Sequence, residues 1–467
     1  MRVTAGRKFR EVADEWEFHA DNFLPYAPVT LDRLMALVQE VELPETKMAL
    51  LNTISVVVER LEHNVHPSIN LNHPSLLANN TQITPYANSI INLLPPLWEQ
   101  SGSEHLMKQA ILTLLARLTN AMKAESRTFH VSFLPIIQSA IEPGSETQVY
   151  LLEDALDLWS SIVAQTPSEH TPPELLALLQ YLLPLFTMES ETLRKAIEIT
   201  EAYLLLAPAA VLADTFRQPM LSALAELQGT LKPEANGIMT HLVQCIIRGA
   251  ESVGGENAVR LLTQDLVTSG FLAKVLEGLH GAYTHHQSHG PYRELPSRAV
   301  DGVVETDYLS VLARIGLSSP TVLVDALRNV GGADVMEWLL EEWLSHVENI
   351  GDAPNKKMMA LVLTRLLELN EEFILGRLQE LMGVWTDVLG ELLEGQEDRS
   401  TEYVYFPFLF PIPFFPSLLP SPHPLTKTYL VLSTGPPSPT PQANPRPQKT
   451  CASTTSSTRI QCMRLIW

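Results

Sequence analysis

Before residue 400, apolar residues recur at i, i+3, i+4 and i+7 in nearly every segment, and sustained two-residue alternation is almost absent. The pattern predicts an all-α chain with helices over 30–42, 45–64, 84–99, 103–123, 128–141, 148–165, 172–186, 190–207, 209–228 and 233–250. It continues over 256–280, with a break near Ser269-Gly270, and then over 307–316, 319–329, 333–349, 354–369 and 371–394. Pro, Gly, Ser or Asn mark the short connections, as antiparallel neighbours require. Two stretches lack the periodicity, Asn72 to Gln82 and Gly281 to Thr306, and both are expected to be loops.

A motif returns within the helices. "FLPYA" at Phe23, "LLPPLW" at Leu93, "FLPIIQ" at Phe133 and "LLPLF" at Leu182 each place proline between bulky apolar residues in the first helix of a pair. The second helices ("KMALLNTISVVVERL", "MKQAILTLLARL", "VYLLEDALDLWSSIV", "LRKAIEITEAYLLL") carry leucines at helical spacing and a small residue. Proline kinks the first helices, so a stack of them can curve along a convex side, while small residues let the second helices pack closely on the concave side. This resembles the HEAT repeat, with its period of about 40 to 47 residues. The expected architecture is a right-handed superhelical solenoid of antiparallel helix pairs over 16–400, preceded by a partial segment at 1–15.

Charge narrows the partners. Lys+Arg 32 against Asp+Glu 53 gives a net charge of -21, and all but one of the acids lie before residue 401. Such a surface repels nucleic acid and anionic membranes and attracts basic proteins. Cys245, Cys451 and Cys462 are too few and scattered for a disulfide framework or zinc cluster. The N-terminal "MRVTAGRKFREVADEWEF" has no apolar core of a secretory signal, so the sequon at Asn79 reads as chance.

No catalytic or nucleotide-binding motif (HExxH, GxSxG, Walker lysine, Cys/His pair) is present, so the expectation is a binding protein without cofactor. His280, His285, His286 and His289 offer imidazoles, but within an expected loop that does not preorganise ligands. The paired glycines of "SVGGEN" and "NVGGAD" read as helix boundaries. The acids say more. Glu153, Asp154 and Asp157 cluster on a second-type helix, and Glu337, Glu341 and Glu348 surround Trp338 and Trp343. Acids beside an exposed aromatic suit a Lys/Arg-rich partner, so Glu153, Asp154, Asp157, Glu337, Glu341 and Trp343 are the candidate cargo contacts; the alternative is a solvated face with the tryptophans in the core.

"DEWEFHADNFLPY" (Asp14 to Tyr26), "VYLLEDALDLW" (Val149 to Trp159) and "WLLEEWLSHVENIGDAPNKKMMALVLTRLL" (Trp338 to Leu367) resemble the importin-β (karyopherin-β) superfamily, specifically its importin eleven subfamily, over about residues 10 to 395. The resemblance implies a nuclear transport receptor shuttling between cytoplasm and nucleus. Such a receptor binds cargo on the concave face, docks phenylalanine-glycine nucleoporins between convex helices, and releases imported cargo to Ran-GTP. It also implies that the Ran-binding repeats of the family lie N-terminal to anything in this chain, so weak or absent Ran-GTP binding is expected. A HEAT scaffold without a transport role is the alternative.

Beyond Ser400 the character changes: 13 of the 34 prolines fall in 401–467 and helical periodicity ends. "YVYFPFLFPIPFFPSLLP" (Tyr403 to Pro420) has the apolar length of a membrane span, but five prolines exclude a spanning helix. Its Phe, Leu, Pro and Ser are residues whose codons can begin with two pyrimidines, so the expectation is a Pro-rich disordered tail read as intron read-through from Tyr403 onward, the alternative being a genuine Pro-rich tail of polyproline character.

Overall fold

The computed structural model describes residues 8, 23, 25–62, 83–188, 190–289 and 300–399, all within the unit Met1–Tyr403. The expected loop Asn72 to Gln82, the segment 1–15 apart from Lys8, and the expected tail 401–467 lie outside the described residues.

Every described element is helical. In chain order the helices are α1 (Ala27–Glu40), α2 (Pro44–Glu62), α3 (Thr84–Gln100), α4 (His105–Met122), α5 (Arg127–Ile141), α6 (Gln148–Gln165) and α7 (Pro173–Ala177). There follow α8 (Ser190–Leu206), α9 (Pro208–Val211), α10 (Asp214–Leu227), α11 (Pro233–Thr268), α12 (Phe271–His289) and α13 (Gly302–Ser318). The last are α14 (Pro320–Gly331), α15 (Val335–Val347), α16 (Ala353–Leu366), α17 (Glu372–Leu375) and α18 (Leu378–Arg399). The described residues form a HEAT-repeat solenoid of antiparallel helix pairs, as expected.

Two layers result. The second helices α2, α4, α6, α8, the first half of α11, α13 and α16 stack one on the next, while α3, α5, α7, α10, α12 and α15 form the first-helix layer. Between α4 and α6 three side-chain bonds share one register: Gln109 to the Tyr150 carbonyl, Thr113 to Asp154 and Asn120 to Ser161, each spanning 41 residues. That constant offset is the repeat period made physical. Close approach of α4, α6 and α8 rests on buried Ala110, Ala116, Ala155 and Ala196.

Pro95, Pro96 and Pro135 sit inside first helices as the motif requires, whereas Pro25 lies in the turn before α1. Pro219 inside α10 extends the series. After α7 the chain tightens into a 3-10 helix, Leu178–Thr187, around Pro184. Proline there supplies no N–H for the α-helical ladder, and the shorter-range bonds of a 3-10 turn replace it.

The helices expected over 233–250 and 256–280 are the two arms of α11, separated where Gly255 takes the non-helical φ 59° and ψ -150°, and α11 is broken from α12 at Ser269-Gly270 as expected. One expectation at 281–306 is corrected. The Gly281–Thr306 loop is shorter than its composition implies: α12 runs on through His289, burying Ala282 and His285, and α13 starts at Gly302. Asp301 begins α13 by accepting from the Val303 and Val304 amides, both at 3.0 Å. Residues 290–299 lie outside the described set. Among the described residues no helix is long and apolar enough to cross a membrane.

Candidate functional site

The α6 acids stand on the second-helix layer. Leu151, Ala155, Leu158, Trp159 and Ile162 face inward and are buried, which leaves Glu153 and Asp157 exposed and Asp154 half-buried. Asp154 accepts from Thr113 at 3.0 Å; burial, the largest influence, still lifts its carboxyl above the usual range, and Asp157 and Glu153 add to the rise. Asp157 pairs with Lys195 of α8. Two further carboxylates on α8, Glu198 and Glu201, continue the strip, and burial raises the Glu198 carboxyl despite Lys195 and Arg194 nearby. Neither is among the candidate contacts named from the sequence, although the i, i+3 spacing in "EITE" places both on one helix face.

The second acidic cluster is elsewhere. Helix α15 belongs to the first-helix layer, packed against α12, so Glu337 and Glu341 do not share a face with Glu153 and Asp157. Glu337 is exposed, whereas Glu341 accepts from Tyr283 Oη at 3.2 Å and Gln287 Nε2 at 2.9 Å and lies 3.8 Å from Arg377. Trp343 is fully buried and donates Nε1 to Met359 Sδ at 3.3 Å, which removes it as a partner contact. Its helix turns it inward, between apolar neighbours that periodicity alone does not distinguish from solvent. Trp159 is likewise buried, with Nε1 donating to Tyr203 Oη at 2.9 Å, and Tyr203 in turn donates to the Leu175 carbonyl at 2.7 Å. Trp338 is half-buried in an aromatic group with His280, 4.9 Å away centre to centre, and Tyr283, 5.8 Å away.

Two groups have metal-ligand composition. In the first, Glu201 Oε1 lies 2.8 Å from His241 Nδ1, and Cys245 Sγ lies 3.8 Å from the same nitrogen. The Cys245 contact first, and then Glu201, push the His241 imidazole up to about 10. In the second, His286 of α12, Glu305 of α13 and Glu342 of α15 place ligand atoms within 4.8 Å of one another. His286 Nδ1 is 2.6 Å from Glu342 Oε1, and His346 Nδ1 is 3.3 Å from Glu305 Oε2. Glu305 and Glu342 are only 1% and 3% exposed. Burial, and then the adjacent Glu342 carboxyl, push Glu305 up to about 9. His286 falls in the expected loop but lies on α12, and its partners come from two other helices, 19 and more residues away.

Comparison with known proteins places these features in a lineage. Residues 109–433 match the family described as importin-11-like, TPR repeats, a range that passes the expected limit at Ser400. Importin-11 of Mus musculus is 26% identical over 407 residues, 86% of this chain and 37% of its own length. The importin beta-like protein kap113 of Schizosaccharomyces pombe is 22% identical over 396 residues, 85% of this chain and 36% of its own. The solved structure of Lph2, titled a novel bidirectional nuclear transport receptor in S. cerevisiae, shares the fold with a TM-score of 0.69 at 20% identity, covering 83% of this chain and 38% of that one. The chain thus spans little more than a third of the length of these relatives.

Proposed function

Because this chain belongs to the importin-11-like family, we propose that it acts within a nuclear transport receptor, holding basic protein cargo on the acidic strip of its second-helix layer. The observation that carries this reading is the continuity of Glu153, Asp154 and Asp157 on α6 with Glu198 and Glu201 on α8, carboxylates from adjacent repeats on one layer. Opposed charge speeds encounter with a Lys/Arg-rich segment and disfavours acidic competitors. Asp157 is already paired with Lys195, so a basic partner competes for it, whereas Glu153 is exposed. Phenylalanine-glycine nucleoporins dock on the opposite, first-helix layer, and the receptor shuttles between cytoplasm and nucleus.

Fluorescence anisotropy with a Lys/Arg-rich peptide tests the cargo assignment. Glu153→Lys with Asp157→Lys weakens binding by at least about tenfold, as the loss of close charge pairs implies. Glu337→Lys with Glu341→Lys, on the other layer, leaves it within about twofold. Equal effects from the two pairs would defeat the assignment. Binding of a phenylalanine-glycine repeat peptide separates a transport receptor from a helical scaffold, which has no use for such a site.

A further inference from the structure

We propose that His286, Glu305 and Glu342 form a zinc site that pins α12, α13 and α15 to one another. The donors converge from three separate helices, with their ligand atoms within 4.8 Å of one another. Two carboxyl groups are buried side by side here, and the side chains paired with them are the imidazoles of His286 and His346. Glu305 is 1% exposed, and its Oε1 has no hydrogen-bond partner. A metal ion gives that oxygen one.

The donor set of one imidazole nitrogen and two carboxylates suits zinc, which takes nitrogen and oxygen ligands in a four-coordinate site; magnesium prefers an all-oxygen octahedron rich in water. The surroundings orient the ligands. Glu342 and His346 sit one turn apart on α15, and the His346 ring lies between Glu305, with Nδ1 3.3 Å from Oε2, and Thr306, with Nε2 2.7 Å from Oγ1. Neighbours of this kind fix ring and carboxylate orientation around bound zinc. An entry path exists, since the His286 side chain is 52% exposed.

The other group of suitable composition is a weaker competitor. The positive charges of Arg248 and Arg314 stand near Cys245, and they oppose a cation at Glu201, His241 and Cys245.

Dialysis of the tag-free full chain against zinc chloride, followed by elemental analysis and calorimetric titration, tests the assignment. One zinc per chain is expected. His286→Ala, Glu305→Gln and Glu342→Gln each weaken binding by about tenfold or more. His286 is at the surface, so its variant keeps the helical circular dichroism of the parent. His241→Ala with Cys245→Ser leaves uptake unchanged, and cobalt(II) in place of zinc shows visible bands without a thiolate charge-transfer band. Zinc also raises Tm, and loses that effect in His286→Ala. Failure to retain zinc, retention undiminished in both His286→Ala and Glu342→Gln, or loss on removing Cys245 would each overturn the proposal.

Discussion

At the scale of single residues, burial decides which of the notable side chains bear on stability and which on binding. Trp343 fills the space between α15 and α16, and Trp343→Ala is expected to cost about 3–5 kcal/mol in urea unfolding. Glu337→Ala, six residues away on the exposed face, changes stability by less than about 0.5 kcal/mol. His130 supplies a pH signature. It is buried between Ser126, 2.9 Å from Nε2, and Thr166, 3.3 Å from Nδ1. Burial first, and the Arg127 charge second, press its imidazole down to about 4. The unfolded chain takes up a proton near pH 6.5, and the folded chain does so only near 4. The contribution of neutral His130 is therefore complete above pH 6.5 and is lost as pH falls towards 4, by on the order of 3 kcal/mol. Wild type and His130→Gln compared by denaturant midpoint at pH 7.5 and pH 4.5 should show this: the variant loses less stability on acidification.

At the scale of elements, glycines and prolines shape helices whose apolar pattern would otherwise run on. The kink of α11 depends on Gly255, in a backbone region open essentially to glycine alone. Gly255→Ala should cost about 1–3 kcal/mol and lower Tm. Gly383 lies within α18, where an added Cβ meets nothing within 4 Å, so Gly383→Ala should stabilise by about 1 kcal/mol. Opposite signs from one chemical change separate conformational need from helix propensity. Periodicity located α6 to the residue and placed most helix ends within a few positions, because one buried stripe per helix repeats along the chain. It misjudged α12, whose continuation to His289 buries a histidine where a leucine would have declared the helix.

At the scale of the whole molecule, each second helix touches mainly the second helices before and after it. Stability in such a stack is nearly a sum of repeats and nearest-neighbour interfaces. Leu156→Ala, in the fully buried face of α6, should therefore raise amide exchange in α4, α6 and α8 while leaving α13 to α16 close to wild type. Uniform loss of protection throughout would show instead a single cooperative unit.

The sequence by itself determined the helices, their pairing, the repeat length and the acidic character, since these follow from local periodicity, proline placement and composition. "VYLLEDALDLW" was enough to indicate the lineage. Only the tertiary structure decided the faces. It put Glu153 and Asp157 on one layer and Glu337 and Glu341 on the other, withdrew Trp343 into the core, and joined Glu198 and Glu201 to the α6 acids. It also gathered His286, Glu305, Glu342 and His346 from three helices. Periodicity states which residues of a helix share a side; the neighbours of that side are set by how repeats stack, and stacking joins positions some forty to sixty residues apart.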